Sequence, residues 1–280
     1  MNEQERELRK LQLRYSISLY LLLSLIVIMV IILKLFGGIG LIFGALAILD
    51  GFYLVRAQRS FTGCYKDRIV RAALSDCTEL IDVHYDPNDG IPYATVADTG
   101  ILRLYDTYDV NDLITAVYHG VSFCRSDVKI EEVTSTGNDT SSFTQFCGSW
   151  FAFTPAKPYP GTVQVISPKF HAAERRRDLS EVGISILGEF AEHFETYADT
   201  PEHAAAILTP RVQQALVDLC AKAKAPVMFL FLGDTVHIVI RTGVDAFEGK
   251  QIGAIRIEEE KQAILRELLL PARLIDAMTN

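Results

Sequence analysis

The sequence predicts an α+β protein: an N-terminal two-helix transmembrane hairpin, followed by a cytosolic domain with a mainly antiparallel sheet and flanking helices. The hairpin is predicted by two apolar runs, residues 15–33 without a charge and residues 38–55 with one charged residue, Asp50. Each run is close to the roughly 20 apolar residues that a helix needs to cross a hydrocarbon core. The α+β class is predicted because strand-like segments are grouped in the middle of the chain and helix-like segments lie elsewhere.

The boundaries of these parts follow from the positions of charged residues. Residues 1–14 form a cytoplasmic segment, residues 15–55 the hairpin, and residues 56–280 the cytosolic domain. Basic residues lie on both sides of the hairpin, whereas its turn contains only Lys34. Because short loops rich in Lys and Arg stay in the cytoplasm, both termini are expected there. A signal peptide fits less well, since the first run is longer than a signal-peptide core and the second run follows at once.

Composition narrows the function classes. The formal net charge of −8 argues against a dedicated nucleic-acid-binding protein, which normally presents a basic surface. The five cysteines are an odd number without a regular framework, which is typical of free thiols in a reducing cytosol.

The middle of the chain predicts an antiparallel sheet. Asp86–Gly90 contains Pro, Asn and Gly and predicts a turn. Val, Ile, Thr, Phe and Tyr then dominate residues 112–167, and strands are expected over residues 143–153 and 162–166. A run of Ser, Thr, Gly, Asn and Asp between Val133 and Phe143 predicts a polar loop between two of these strands.

The last third predicts helices around a hairpin. A helix is expected over residues 202–222, with Thr200 as its N-cap and Pro201 at its first position. Thr209-Pro210 predicts a local break or a new first turn within it. Gly233 lies between two apolar runs, residues 227–232 and 236–240, which predicts a β-hairpin. A charged helix over residues 257–270 follows.

The order of short motifs in the chain resembles a known family. The motifs that carry the resemblance are Tyr65-Lys66-Asp67, Tyr85-Asp86-Pro87-Asn88-Asp89-Gly90-Ile91, Tyr105-Asp106-Thr107-Tyr108, Asp112-Leu113-Ile114, Val121-Ser122-Phe123, Phe194-Glu195-Thr196-Tyr197-Ala198-Asp199, Ala206-Ile207-Leu208-Thr209-Pro210 and Phe247-Glu248. This set is similar to a bacterial membrane-protein family described as domain of unknown function 3137. The resemblance implies a bacterial plasma membrane and a paired span before the domain. It supplies no activity, so it assigns no catalytic residue.

The sequence contains no complete motif for catalysis, metal binding or cofactor binding. The best group of potential ligands is Glu189, Glu192, His193 and Glu195, but the His-Glu-x-x-His spacing of a zincin helix is absent. Gly183–Gly188 is one residue too long for a nucleophile elbow. We therefore expect no catalytic, metal-binding or cofactor-binding site that local sequence can reveal.

Two weaker candidates remain. Asp50 lies within an apolar span, where an ionisable side chain is costly and often functional; snorkelling or a partner such as Arg56 or Arg59 would also account for it. His193, Glu195 and Asp199 are the residues from which an acidic site with a histidine would be assembled.

The interaction partners are expected to be membrane components. Arg175–Arg177 and the basic residues beside the hairpin are candidates to meet anionic lipid headgroups, and a solvated basic loop is the alternative for the three arginines. Gly40 and Gly44 have a spacing that lets helices approach closely, within the hairpin or with a second copy.

These observations favour a membrane-tethered cytosolic interaction or regulatory domain without catalysis. The alternative is a membrane-associated enzyme with a site of acidic residues and His in the C-terminal half. Transport is less favoured, because two spans enclose no pathway without oligomerisation. The expected partners are the lipid bilayer and a protein partner or second copy that binds through the hairpin; nucleic acid is not expected.

Overall fold

The chain folds into two compact units. The computed structural model describes residues 3–101, 107–136, 139–170, 175–183 and 188–279. The helical unit contains residues 1–73 and 247–264, and the sheet unit contains residues 74–246 and 265–280.

Two long helices dominate the helical unit. Helix α1 (Glu3–Phe36) is followed by a 3₁₀ turn (Gly37–Gly40) and by helix α2 (Leu41–Tyr65). The chain reverses at Gly37, whose φ of +64° lies in the region that glycine adopts most easily. A π-helical turn (Lys66–Val70) and helix α3 (Arg71–Asp76) continue from α2.

Contacts along α1 and α2 show that the two helices pack antiparallel. A Cβ atom on Gly40 would lie 2.6 Å from Leu33 Cγ, and one on Gly44 would lie 2.9 Å from Met29 Sδ. At the other end, Ser18 Oγ donates a hydrogen bond of 2.9 Å to Asp50 Oδ1. The close spacing of Gly40 and Gly44 is therefore used within the pair.

Within the described residues, length and composition identify one candidate membrane span, Glu5–Asp76, because helical turns join α1, α2 and α3 into one continuous stretch. The two crossings that the sequence predicts are not shown by this criterion and remain a proposal.

Among the described residues, the sheet unit has nine strands, which pair antiparallel throughout. Their order across the sheet is β1-β2-β3-β4-β9-β8-β5-β7-β6. The strands are β1 (Leu80–Asp86), β2 (Thr107–Tyr118), β3 (Val121–Thr136), β4 (Asp139–Phe153), β5 (Thr162–Ile166), β6 (Ser180–Glu181), β7 (Glu195–Ala198), β8 (Val227–Leu232) and β9 (Thr235–Ile240). The predicted antiparallel sheet and the hairpin around Gly233 are confirmed.

Short helices flank the strands. They are α4 (Tyr93–Ala97), α5 (Gly188–His193), α6 (Pro201–Ile207), α7 (Pro210–Ala223), α8 (Ile257–Ala272) and α9 (Leu274–Thr279); α8 begins in the helical unit and ends in the sheet unit. Together with the sheet they confirm the α+β class.

Two predicted elements have different bounds in the structure. The helix expected over residues 202–222 is divided into two helices, and the predicted new first turn at Thr209–Pro210 is confirmed: Thr209 accepts a hydrogen bond from Val212 N and Pro210 begins α7. The polar loop expected between Val133 and Phe143 is shorter, since β3 extends to Thr136 and β4 begins at Asp139. Cross-strand pairing, such as Ser135 with Thr140, continues through these polar residues.

The core of the sheet unit surrounds Trp150 on β4, which is completely buried. Trp150 Nε1 donates a hydrogen bond of 3.2 Å to His237 Nδ1 on β9, so the polar group of the indole is satisfied within the core. As it is the single Trp of the chain, its fluorescence reports on this unit alone.

Candidate functional site

A buried cluster of charged side chains lies within the sheet unit. Asp112 is on β2, Arg125 and Asp127 are on β3, and Asp245 follows β9. The first three are at most 4% exposed. Since a charge is costly to bury without partners, the contacts of these side chains decide what the cluster can do.

Arg125 is the central cation of this cluster. Its Nη1 and Nη2 atoms donate to Oδ2 and Oδ1 of Asp127 at 3.1 and 2.9 Å, a bidentate pair. Nη2 also donates to Glu267 Oε1 at 2.8 Å. Arg125 and Asp127 are two positions apart on one strand, so both side chains lie on the same face of the sheet.

An irregularity in strand β2 positions Asp112. The register of β2 shifts between Asn111 and Ile114 against β3, and Asp112 has a φ of +58°. Such a bulge redirects a side chain that a regular strand would place elsewhere. The hydroxyl of Tyr85 donates a hydrogen bond to Asp112 Oδ1.

Asp245 reaches the cluster from the segment after β9. Asn111 Nδ2 donates to Asp245 Oδ2 at 2.5 Å, and the N–H of Ala246 donates to Asp127 Oδ2 at 3.2 Å. Asp245 Oδ1 is buried and has no hydrogen-bond partner among the described residues. Carboxylate oxygens of Asp112, Asp127 and Asp245 all lie within 4.8 Å of one another.

A cavity of about 210 Å³ adjoins two of these carboxylates, those of Asp127 and Asp245. Its polar lining comes from β2, β3, β4 and the segment after β9, and the residues are Asp109, Asn111, Asp127, Lys129, Cys147 and Asp245. The cavity therefore gives a small molecule or ion access to Asp127 and Asp245.

Burial and charge together set the protonation of Asp127. The pKa of Asp127 is raised to about 7; burial is the largest cause, Arg125 acts in the opposite direction, and Asp245, Glu267 and Asp112 contribute smaller increases. Arg125 thus compensates only part of the negative charge around it. A proton on Asp127 would compensate more of it.

The oxygen donors of the cluster are of the kind that Mg²⁺, Ca²⁺ and Mn²⁺ prefer. However, the bidentate pair with Arg125 already uses both oxygens of Asp127. What the geometry shows directly is a buried ion-pair network beside a cavity.

Comparison with known families supports the predicted resemblance. The model of the family described as "Protein of unknown function (DUF3137)" matches residues 144–279. The resemblance to DUF3137 is confirmed over this part of the chain. The DUF3137 match includes Asp245 and Glu267, whereas Asp112, Arg125 and Asp127 precede it.

Comparisons with individual proteins add little. A search of curated proteins found no match. Among solved structures, the mycobacterial trehalose monomycolate transport factor A, TtfA, matches with 9% sequence identity and a TM-score of 0.39. The alignment covers 75% of this chain and 95% of the TtfA chain.

The residues selected from the sequence for an acidic site have separate partners in the structure. His193 Nε2 lies 3.9 Å from Glu189 Oε1 on the same helix. Glu195 accepts a hydrogen bond of 2.8 Å from the Tyr197 hydroxyl. Asp199 lies 2.9 Å from His203 Nδ1, and it also accepts hydrogen bonds from the backbone N–H groups of Thr162 at 3.1 Å and Thr200 at 2.8 Å. Asp199 thus links the start of α6 to the start of β5.

The other two sequence candidates also have defined surroundings. Asp50 Oδ1 accepts a hydrogen bond from the Ser18 hydroxyl. Its Oδ2 atom is buried without a hydrogen-bond partner among the described residues. In the arginine triple, Arg176 donates to Asp178 and to the carbonyl of Thr99, and Arg175 lies over the ring of Tyr197. The sequence left a solvated basic loop as an alternative for the arginine triple. In the structure, Arg175 and Arg176 contact other residues of the protein.

Sequence reasoning missed the cluster, although one signal was available. Arg125-Ser126-Asp127 interrupts a strand that is otherwise rich in apolar and β-branched residues. Opposite charges two positions apart on a strand predict a same-face ion pair. Asp112 joins the cluster because of a bulge in β2, and Asp245 joins it from the segment after β9. No local sequence pattern reveals either contribution.

The raised pKa of Asp127 makes a prediction about pH. The folded protein holds a proton on Asp127 up to about pH 7, whereas the unfolded chain loses it near the ordinary value of 3.8. This group therefore lowers the stability of the fold progressively as the pH rises from about 4 to 7. In Asp127→Asn the contribution is absent, so the variant should gain stability relative to the natural protein across this range.

The measurement is denaturant unfolding of the detergent-solubilised chain, followed by Trp150 fluorescence at several pH values. Burial lowers the pKa of His237 to about 4, and this group stabilises the fold as the pH rises, in the opposite sense. Because His237 is present in both proteins, its contribution cancels in the difference between their free energies of unfolding. A difference that stays constant between pH 4 and 8 would contradict the assignment to Asp127.

Proposed function

We propose that this chain is a membrane-tethered cytosolic interaction or regulatory domain without catalysis. Helices α1 and α2 form a hairpin that crosses a bacterial plasma membrane twice, and both termini lie in the cytoplasm. The observation that carries the proposal is the apolar surface of the two helices, which nothing in the helical unit covers among the described residues.

That surface is extensive. Large apolar side chains between 38% and 73% exposed follow both helices. They are Leu13, Ile17, Tyr20, Leu21, Leu23, Ile26, Val27, Ile28, Val30, Ile31, Leu35 and Phe36 on α1, and Leu41, Ile42, Leu46, Ile48, Leu49, Phe52, Tyr53 and Val55 on α2. Soluble proteins rarely expose continuous apolar patches of this size, whereas lipid tails are a suitable environment for them.

The charged residues fit the proposed orientation. Arg9, Lys10 and Arg14 are exposed before the apolar part of α1, and Arg56 and Arg59 are exposed after that of α2. Lys34 is the single basic residue near the turn. This distribution is typical of a cytoplasmic location for both ends, and the exposed cations are suited to anionic lipid headgroups.

The pairing inside the hairpin leaves other surfaces for partners. Gly40 and Gly44 face α1, so they support packing within the hairpin. A Cβ atom on Gly51 would meet nothing within 4 Å, which leaves room at this position for another helix. A protein partner or second copy that binds through the membrane is part of this proposal.

The non-catalytic part of the proposal is supported by the separate partners of His193, Glu195 and Asp199. Single replacements of Glu195 or Asp199 by Gln or Asn should therefore change the cellular role only as far as they change protein abundance. A variant that remains fully abundant and loses its role would favour the membrane-associated enzyme.

Topology is the decisive test of the tether. Gly38 in the turn has no atom within 4 Å of a built Cβ, so Gly38→Cys should fold without strain. In intact cells, a membrane-impermeant maleimide should label this variant. The five natural cysteines lie from Cys64 onward and should react only after the membrane is opened, which provides an internal control. Labelling of the natural protein in intact cells, without added labelling of Gly38→Cys, would contradict the proposed orientation.

A further inference from the structure

A loop from the C-terminal half of the chain packs beside the start of the apolar helices. This loop, residues 249–256, belongs to the helical unit and is called the juxtamembrane loop below. The buried side chain of Gln12 on α1 holds it: Nε2 donates to the carbonyl oxygens of Lys250 at 3.0 Å and Gly253 at 2.8 Å. These two bonds flank Gln251 and Ile252 and fix the apex of the loop against α1.

Contacts with α2 hold the chain on both sides of the loop. Before it, Glu248 accepts a hydrogen bond of 2.9 Å from Thr62 Oγ1 and pairs with Lys66 Nζ at 3.1 Å. After it, Glu260 accepts a hydrogen bond of 2.9 Å from the Tyr65 hydroxyl. The loop therefore has a defined position on the helices.

A glycine allows the close approach at the beginning of the loop. Gly249 has a φ of +67°, and a Cβ atom there would lie 2.5 Å from the ring of Tyr65. The chain can therefore lie directly against α2 at this point.

The position of Gln12 gives the depth of the loop. Gln12 precedes Tyr15, where the apolar run begins, by three residues, and a helix rises about 1.5 Å per residue. The apex therefore lies about 4.5 Å outside the apolar run. A bilayer adds roughly 5–7 Å of polar headgroup region on each side of its hydrocarbon core. The juxtamembrane loop is thus at headgroup depth if α1 crosses the membrane.

The exposed side chains of the loop suit that environment. Ile252 is 54% exposed, although it is a large apolar residue. The side chains of Lys250 and Arg256 are 70% and 73% exposed. Arg256 pairs at 2.7 Å with Glu259, which is also exposed, and such surface pairs contribute little and can exchange for other anions. Lys250 pairs at 3.2 Å with Glu260, whose side chain is 13% exposed, but the ammonium group of Lys250 itself is on the exposed side of the pair.

We propose that the juxtamembrane loop is a lipid-binding element: Ile252 inserts among the headgroups, and Lys250 and Arg256 bind the phosphates of anionic lipids. The proposal rests on the membrane tether proposed above and adds a specific lipid contact from a segment distant in sequence. It is favoured by the anchored apex, the headgroup depth and the combination of one exposed apolar side chain with two cations.

Tryptophan quenching in vesicles tests the insertion. The full-length chain is reconstituted with Ile252→Trp, and bilayers of phosphatidylcholine and phosphatidylglycerol carry a quencher on the acyl chain near the headgroup. The natural protein, with only the buried Trp150, serves as the blank. Phe52→Trp, 73% exposed on the apolar part of α2, is the positive control, and Ala263→Trp, exposed on α8, is the control outside the membrane.

The expected result is a clear loss of Ile252→Trp fluorescence, with less accessibility to aqueous iodide than Ala263→Trp. If Ile252→Trp behaves like Ala263→Trp while Phe52→Trp is quenched, the loop proposal is wrong and the tether stands. If Phe52→Trp is not quenched either, the tether itself is wrong.

A second measurement tests the role of the two cations. Quenching of Ile252→Trp should increase with the phosphatidylglycerol content and decrease with added salt. Lys250→Gln with Arg256→Gln should abolish this lipid dependence, whereas the charge-matched pair Lys222→Gln with Lys224→Gln, exposed in the sheet unit, should preserve it. Equal lipid dependence in both double variants would contradict the assigned cations.

Discussion

Replacement of Arg125 by Met is expected to lower the free energy of unfolding of the sheet unit by about 3–5 kcal/mol, the range seen when one partner of a buried ion pair is removed. Without the guanidinium, Asp127 loses both of its charged hydrogen bonds, and Glu267 loses one. Denaturant unfolding followed by Trp150 fluorescence measures the effect. Since protonation of Asp127 relieves part of the cost, the loss should be smaller at pH 5 than at pH 8.

Two further variants distinguish this mechanism from general damage. Arg211→Met removes an arginine of the same unit whose contact, a hydrogen bond of 2.7 Å to the carbonyl of Asp276, is exposed, so its effect should stay within about 1 kcal/mol. Arg125→Met combined with Asp127→Leu should recover part of the stability, because the uncompensated charge is then absent. A cost for Arg125→Met equal to that of Arg211→Met would show that the network contributes nothing.

Replacement of Val27 by Asp is expected to prevent normal insertion of α1. Val27 lies near the middle of the first apolar run and is 57% exposed. In lipid, Asp at the centre of a spanning helix costs about 2.5–3.5 kcal/mol, which should strongly reduce the amount of protein that remains in the membrane after alkaline extraction. If Val27 faced water, the same substitution would cost little. The amount of protein that remains in the membrane therefore distinguishes a Val27 in lipid from a Val27 in water.

The matched control is Ile81→Asp. Ile81 is 59% exposed, but it lies on strand β1 of the sheet unit. Its replacement should leave the membrane-bound amount nearly unchanged. If Val27→Asp and Ile81→Asp extract alike, the apolar surface of α1 is not in contact with lipid.

Elements with strong local signals were predictable from the sequence. In the β8–β9 hairpin, Gly233 has a φ of +57° and lies between two apolar runs. The turn residue and the strand pattern therefore both predict the same hairpin. The break at Thr209–Pro210 was predictable as well, because Pro fixes φ and suits the first turn of a helix. The strand ends near Thr136 and Asp139 were missed because their polar residues are typical of loops, and only pairing with the neighbouring strand makes them regular.

The candidate site was less predictable for a different reason. Its charged residues come from β2, β3, the segment after β9 and α8, so their proximity depends on strand order. The orientation of Asp112 also depends on a register shift that sequence periodicity does not encode. His193, Glu195 and Asp199, by contrast, are close in sequence but have different partners in the folded protein.

The contacts of Gln12 have a consequence for biosynthesis. Its partners Lys250 and Gly253 follow 238 and 241 residues later in the chain. During translation, α1 and α2 leave the ribosome long before these partners exist, and the nascent protein must keep this side of α1 available while the sheet unit is made. The juxtamembrane loop can dock only after Lys250 and Gly253 have been synthesised. A ribosome-stalled chain that ends before residue 247 should therefore expose the base of α1 to chaperones or proteases that cannot reach it in the finished protein.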